Sequence, residues 1–146
     1  MTVALSGIEV ARQLGPRFPE AIIESSNQAI VVKKEQLTAV MDYLKNSPEL
    51  SFSFLSDITA TDYFDYFEIT YQLTSFEHNH KLTVKTRCYD RNKPVVPSVT
   101  GLWQGANFME REIFDLMGIE FSGHPNLKRI FLWEGFAGHP LRKDYL

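Results

Sequence analysis

The sequence predicts an α+β fold: a small, mostly antiparallel sheet with two or three helices packed on it, followed by an extended, irregular C-terminal tail. Three observations carry that prediction. Apolar residues recur at helical spacing twice, at Leu37, Val40, Met41 and Leu44 and again at Ala106, Met109, Ile113, Leu116 and Met117. Two runs alternate residue by residue, one from Phe67 to Leu73 and one from Lys81 to Cys88. Beyond Gly118 periodicity stops, and glycine, proline, aromatic and basic residues mix. A period of 3.6 marks a helix with one buried face; a period of two marks a half-buried strand.

Taken in order, Ile8, Val10, Ala11 and Leu14 predict a short first helix that ends near Gly15-Pro16. Ala21-Ile22-Ile23 and Ala29-Ile30-Val31-Val32 flank the turn-forming Ser25-Ser26-Asn27 and read as a hairpin. The Leu37 stripe sets a helix from about Lys34 to Asn46, which Pro48 stops. Leu50, Phe52 and Phe54 alternate with serines as strand material. The two long alternating runs form an antiparallel pair. Matching their apolar faces sets Glu68 opposite Arg87, or Lys85 one step away, each an opposite-charge pair of roughly 0.2–1 kcal/mol. Pro94-Val95-Val96-Pro97-Ser98 is an extended connector, since each proline biases its predecessor away from helix. A helix then runs from about Gly105 to Met117, with Gly118 as its C′ residue. The organisation expected is an α+β domain over 1–122 and a partner-docking tail over 123–146. That tail is too apolar (Ile130, Phe131, Leu132, Trp133, Phe136) for ordinary disorder and too irregular to fold alone.

Composition narrows the function classes. A chain of 146 residues that is 44% hydrophobic and 13% aromatic is one domain with ample core. The net charge of -3 implies no general affinity for nucleic acid. From His124 onward the charge is +2, so an acidic body of -5 precedes a mildly basic tail. Cys88 is the single cysteine, so no internal disulfide and no four-cysteine iron–sulfur cluster can form here. No run approaches the length of a membrane span, and Met1–Gly15 lacks the basic start of a signal peptide. Neither a Gly-x-Gly-x-x-Gly nor a Walker motif is present, so flavin or NADH binding is not expected.

The residues able to carry chemistry have plainer readings beside the sharper ones. On the wheel of the expected Gly105–Met117 helix, Arg111, Glu112 and Asp115 lie opposite the apolar arc, with Arg111 and Asp115 in i, i+4 relation. Glu110 falls at the edge of the arc. A carboxylate buried bare would cost several kcal/mol, so it either sits solvated at the rim or pairs with Arg129, Arg142 or a partner's arginine. No second titratable group accompanies it for general-acid work. His124-Pro125 and His139-Pro140 each follow a glycine and read as turns; their spacing matches no standard metal site. His78-Asn79-His80 reads as a polar hairpin loop, Cys88 as a buried inert thiol, and Asp57, Asp62 and Asp65 as turn residues between strands. Trp103, Phe108, Phe121, Phe131, Trp133, Phe136 and Tyr145 crowd the last third, the residue type that anchors interfaces.

Glu110-Arg111-Glu112, Asp115, Gly118-Ile119, Gly123-His124-Pro125, Leu127 and Arg129-Ile130 together resemble the signature of one family. Pro140-Leu141-Arg142-Lys143-Asp144-Tyr145 resembles that family's closing segment, and Pro97-Ser98-Val99 and Trp103 are in keeping. The family is the 30 kDa subunit of respiratory complex I, the C-type (or J-type) subunit of the proton-pumping NADH:quinone oxidoreductases, also called NDH-1. The resemblance covers about the last fifty residues. It implies a hydrophilic peripheral-arm subunit of an oxidoreductase and translocase complex, with no catalytic site of its own. It implies partners: the large hydrogenase-like subunit of the quinone module and neighbouring peripheral-arm subunits. Flavin, iron–sulfur clusters and quinone are then expected on those partners, and none in this chain. Membrane association is then indirect, at the cytoplasmic side of the inner (plasma) membrane. Structural and interface roles fall to Glu110, Arg111, Glu112, Asp115, Gly118, His124, Pro125, Arg129, Trp133, His139, Arg142 and Tyr145. Many relatives carry a longer tail; a sequence stopping at Leu146 is a short-tailed member or a truncated one. Equivalent subunits of hydrogenase-linked or F420H2-linked membrane complexes fit as well, and a generic protein-binding module is the alternative outside the family.

Overall fold

A computed structural model describes residues 2–129 and 138–143. Strand β1 (Val3–Ala4) precedes helix α1 (Gly7–Leu14), then β2 (Ile22–Ser25) and β3 (Ala29–Val32). A 3-10 turn (Lys34–Gln36) leads into α2 (Leu37–Asn46), followed by β4 (Phe54–Asp62), β5 (Phe67–Ser75) and β6 (His80–Cys88). Strand β7 (Val95–Pro97), helix α3 (Ala106–Met117) and strand β8 (Glu120–Ser122) complete the order. The main sheet runs β2-β3-β6-β5-β4, with β1 also on β6; β7 and β8 make a second, two-stranded sheet. The β2/β3, β4/β5 and β5/β6 pairs are antiparallel, whereas β1/β6, β3/β6 and β7/β8 are parallel. The α+β class, the three helices and the mostly antiparallel main sheet follow the sequence.

Patterning explains the core. Leu37, Val40, Met41 and Leu44 are all buried, as the stripe requires. On β5, Phe67, Ile69, Tyr71 and Leu73 point inward; on β6, Leu82, Val84, Thr86 and Cys88 do. Glu68 stands opposite Arg87 and bonds its Nε at 3.0 Å, while Lys85 Nζ reaches the same carboxylate at 3.4 Å, so both expected partners engage it. Gly7 starts α1 where a Cβ would lie 2.3 Å from the carbonyl oxygen of Ser26, so no larger residue fits against the β2–β3 turn.

Three expectations on the chain's path are corrected. The Leu50–Phe54 alternation is not a strand. Leu50 and Phe52 are buried, but Ser51 has φ +48° and the amide of Phe52 returns to the carbonyl of Leu44. The strand begins at Phe54 and continues to Asp62. A bulge between Leu55 and Asp57 sets its buried residues three apart, Leu55 and Ile58, which hides it from a period-two reading. The Pro94–Ser98 connector contains β7, and residues past Gly118 contain β8. Each is three residues long, too short to show a period.

Asp62, read as a turn residue, is the buried last residue of β4. Its Oδ1 accepts from Arg91 Nη1 at 2.6 Å and from the amide of Phe64 at 2.8 Å. Its Oδ2 accepts from Arg91 Nη2 at 3.0 Å and from the amide of Lys143 at 2.9 Å. The Arg91 hydrogen bonds, foremost, hold its carboxyl well below the usual carboxylate range, against the opposing effect of burial. A carboxyl depressed in the folded state contributes stability that is present above its ordinary value of 3.8 and lost as pH falls through the folded value. Asp62→Asn is expected to lower the unfolding free energy by roughly 2–3 kcal/mol at neutral pH. In denaturant titrations that difference should shrink below about pH 4; a gap that persists unchanged into acid would contradict the assignment.

Candidate functional site

The candidate site is the C-terminal end of α3, where the chain's own C-terminal segment arrives. A helix leaves its last four carbonyls without intrahelical donors. Here all four find donors. The carbonyl of Phe114 accepts from the amide of Gly118 at 2.9 Å. That of Asp115 accepts from Arg129 Nη2 at 2.7 Å and from His139 Nδ1 at 3.1 Å. That of Leu116 accepts from the amide of Leu141 at 3.0 Å, and that of Met117 from Arg142 Nε at 2.6 Å. Two guanidinium groups thus sit where the helix dipole is negative. A carbonyl can only accept, so His139 carries its proton on Nδ1 there.

Gly118 makes this arrangement sterically available. It has φ +73°, and a Cβ on it would lie 2.6 Å from Cδ2 of His139 and 3.0 Å from Nη2 of Arg142. Its left-handed backbone ends the helix, and its missing side chain admits the imidazole. Asp115 is fully buried, and its Oδ1 accepts from Arg129 Nε; Arg129 Nη2 also reaches the carbonyl of Gly138 at 2.9 Å. The expected Arg111–Asp115 pair is therefore replaced. Arg111 Nε donates instead to the carbonyl of Lys128 at 3.2 Å. The polar arc of α3 is covered by residues fourteen and more positions downstream, which a helix wheel cannot foresee. Glu112 is half-buried on the same arc and lines a cleft of about 190 Å³ between α3 and β4, with Leu141 at its rim.

Glu110 neither sits solvated nor meets Arg129 or Arg142. It is fully buried and accepts from the Ser98 hydroxyl at 2.6 Å and the Val99 amide at 2.9 Å. Burial pushes its carboxyl up to about 7, although both hydrogen bonds oppose the rise. Ser98 and Val99 read in the sequence as an extended segment beside a proline and as residues in keeping with the family pattern; nothing there pairs them with Glu110.

The Gly-His-Pro turns differ. His124 Nδ1 accepts from the amide of Asn126 at 2.9 Å and its Nε2 lies 3.1 Å from the carbonyl of Asn107, so the neutral Nε2–H tautomer fits both. Pro125 is exposed beside it. In the expected polar loop, His78 and His80 turn their Nε2 atoms to the carbonyls of Pro48 and Leu50. Of the aromatic crowd, Trp103 and Phe121 are core residues, and Phe108 is exposed. Phe131, Trp133, Phe136 and Tyr145 lie outside the described residues. A second aromatic group, which no local pattern announces, stands at the β4–β5 turn. Tyr63, Tyr66 and Tyr89 pack in series there as tilted rings with centroids 5.4 and 5.2 Å apart. Phe64 caps the turn at φ +68°.

Gly118→Ala is expected to cost at least about 1 kcal/mol from the left-handed backbone alone. Displacement of His139 should add to that and speed proteolytic cleavage within 138–143. Melting temperature and limited proteolysis read both effects; an unchanged pattern would mean that His139 is not held by α3.

Comparison with known proteins places the chain in a family. Residues 30–146 match the family described as "Respiratory-chain NADH dehydrogenase, 30 Kd subunit". The chain is 41% identical over 149 residues to the C subunit of NADH-quinone oxidoreductase from Roseiflexus sp. (strain RS-1), covering 97% of this chain and 85% of that relative. It is 49% identical over 119 residues to the C subunit of the same oxidoreductase from Moorella thermoacetica (strain ATCC 39073 / JCM 9320), covering 80% and 78%. Among solved structures, the trypsin-resistant fragment of Nqo5 aligns with a TM-score of 0.66 at 30% identity, covering 82% of this chain and 98% of that one. A chain of the membrane-bound sulfane sulfur reductase, an archaeal respiratory membrane complex, shares the fold with a TM-score of 0.75 at 24% identity, covering 95% and 85%. No helix among the described residues is long and apolar enough to cross a membrane. The chain belongs to the 30 kDa subunit family of the respiratory-chain NADH dehydrogenases, and its partners are other subunits of a complex I-type assembly.

Proposed function

We propose that this chain is a non-catalytic docking subunit of the peripheral arm, which binds the large hydrogenase-like subunit and so supports assembly of the quinone module. The observation that carries the reading is the use of the family-pattern side chains. Arg129, His139 and Arg142 close the end of α3, Asp115 holds Arg129, and Glu110 holds the Ser98–Val99 connection. Groups so committed to main-chain and ion-pair partners are structural, and they fix where the C-terminal segment leaves the domain. Flavin, iron–sulfur clusters and quinone belong to partner subunits in this reading, and attachment at the cytoplasmic face of the membrane is indirect. The residues from 123 onward act as the docking tail, with Trp133 and Tyr145 as anchors of the kind that dominate interfaces.

The 41–49% identity to NADH-quinone oxidoreductase subunits favours NADH as donor to the parent complex.

The test is co-expression of the tagged chain with the large subunit of the same host, followed by pull-down. A stoichiometric pair is expected. Trp133→Ser with Tyr145→Ser should lower recovery about tenfold or more, the loss of roughly 1.4 kcal/mol or more, with melting temperature unchanged. Arg129→Ala with Arg142→Ala should lower both recovery and melting temperature. A chain that stays alone and well folded would refute the docking role.

A further inference from the structure

Glu110 is the one fully buried carboxylate of α3 whose described hydrogen bonds come only from uncharged donors. Asp115, also fully buried, has the guanidinium of Arg129. Glu110 has a hydroxyl and an amide. The groups facing it can be named element by element. From the β7–α3 connection come the Ser98 hydroxyl, itself 2.9 Å from Thr100 Oγ1, and the Val99 amide; none of these titrates near neutrality. From the main sheet comes Tyr71 on β5, the titratable group whose own ionisation Glu110 disfavours. Tyr71 Oη is buried without a hydrogen-bond partner among the described residues, so it supplies neither charge nor donor to the carboxylate.

The placement matters because the carboxyl joins separate pieces. Through Ser98 it reaches β8, since the amide of Ser98 donates to the carbonyl of Ser122 at 2.8 Å. Through α3 it shares a rigid rod with the carbonyls that hold Leu141 and Arg142 less than two turns away. A charge at Glu110 must be hydrated or matched, and among the described residues the closed joint offers it two donors and no cation; a proton removes that demand.

We propose that Glu110 is the proton-responsive staple of this subunit: proton uptake seats α3 and the Ser98–Val99 connection on the main sheet, and proton release lets that joint, and with it the C-terminal segment, open without global unfolding. The two hydrogen bonds favour the carboxylate and burial favours the acid, and burial outweighs them. The sign follows: a carboxyl raised in the closed state gives stability that is complete below its ordinary value of 4.5 and is lost as pH climbs through about 7.

Amide hydrogen exchange on the full chain at pH 6 and pH 8, corrected for the intrinsic rate, tests this. Val99 and Leu141 are expected to be less protected than the β5–β6 amides at both values. Their protection should fall about tenfold between pH 6 and pH 8, the ratio that a shift from 4.5 to about 7 sets by linkage. Glu110→Gln should flatten the profile. Ser98→Ala removes a donor that favours the charged form, so it should move the transition to higher pH; it also keeps the test decisive if the glutamine variant does not fold. Flat or rising protection in the unaltered chain would overturn the proposal. So would Val99 and Leu141 amides that exchange only with the whole molecule.

Discussion

Four carbonyl oxygens at the end of α3 constrain everything downstream of them. A helix that ended in the protein interior with those groups bare would lose several hydrogen bonds at once. The chain meets the demand with one glycine amide, one later amide, two arginines and a histidine, all donated from residues 118–142. The same segment is tied a second time where the amide of Lys143 meets Asp62 at the end of β4. Arg91 and Arg142 both lie over the ring of Phe67, 4.7 and 5.1 Å from its centroid, so the tie to β4 and the cap of α3 share one buried aromatic. The C-terminal segment is therefore held by α3 and by the main sheet together.

This shared dependence explains how the family signature reads. Its arginines, histidines and acids look like an interface seen from the sequence, and like a helix terminus seen from the structure. In the structure these side chains are committed to main-chain and ion-pair partners of the same chain. Arg129, Gly138 and Lys143 are held at fixed points, so less ordering remains at these positions for a partner to impose. Charge follows the same division: the body is acidic, while basic residues gather on the segment that crosses the helix end.

Legibility followed period and range. The helices α1, α2 and α3 and the β5–β6 register were readable because their apolar residues repeat locally and a charged pair confirms the alignment at Glu68 and Arg87. Strand β4 was not, because its bulge breaks the alternation, and β7 and β8 were not, because three residues cannot show one. The site was half readable. Gly118 announced the helix end and Glu110 announced a buried carboxylate in need of partners. What the sequence could not supply was which distant group answers each. Asp115 takes Arg129 rather than Arg111, Glu110 takes Ser98 and Val99 rather than an arginine, and Asp62 takes Arg91 and Lys143. These pairings span eleven to eighty-one positions, beyond any helix wheel or strand alternation.

The most direct measurement is the unfolding free energy of a chain ended after Lys128, set against that of the whole chain in the same denaturant titration. If the C-terminal segment completes α3, its removal leaves Asp115 buried without Arg129 and three carbonyls without their donors. The loss should then be roughly 3 kcal/mol or more. Equal stability of the two chains would contradict the account and make the segment an appendage that merely rests on a finished domain.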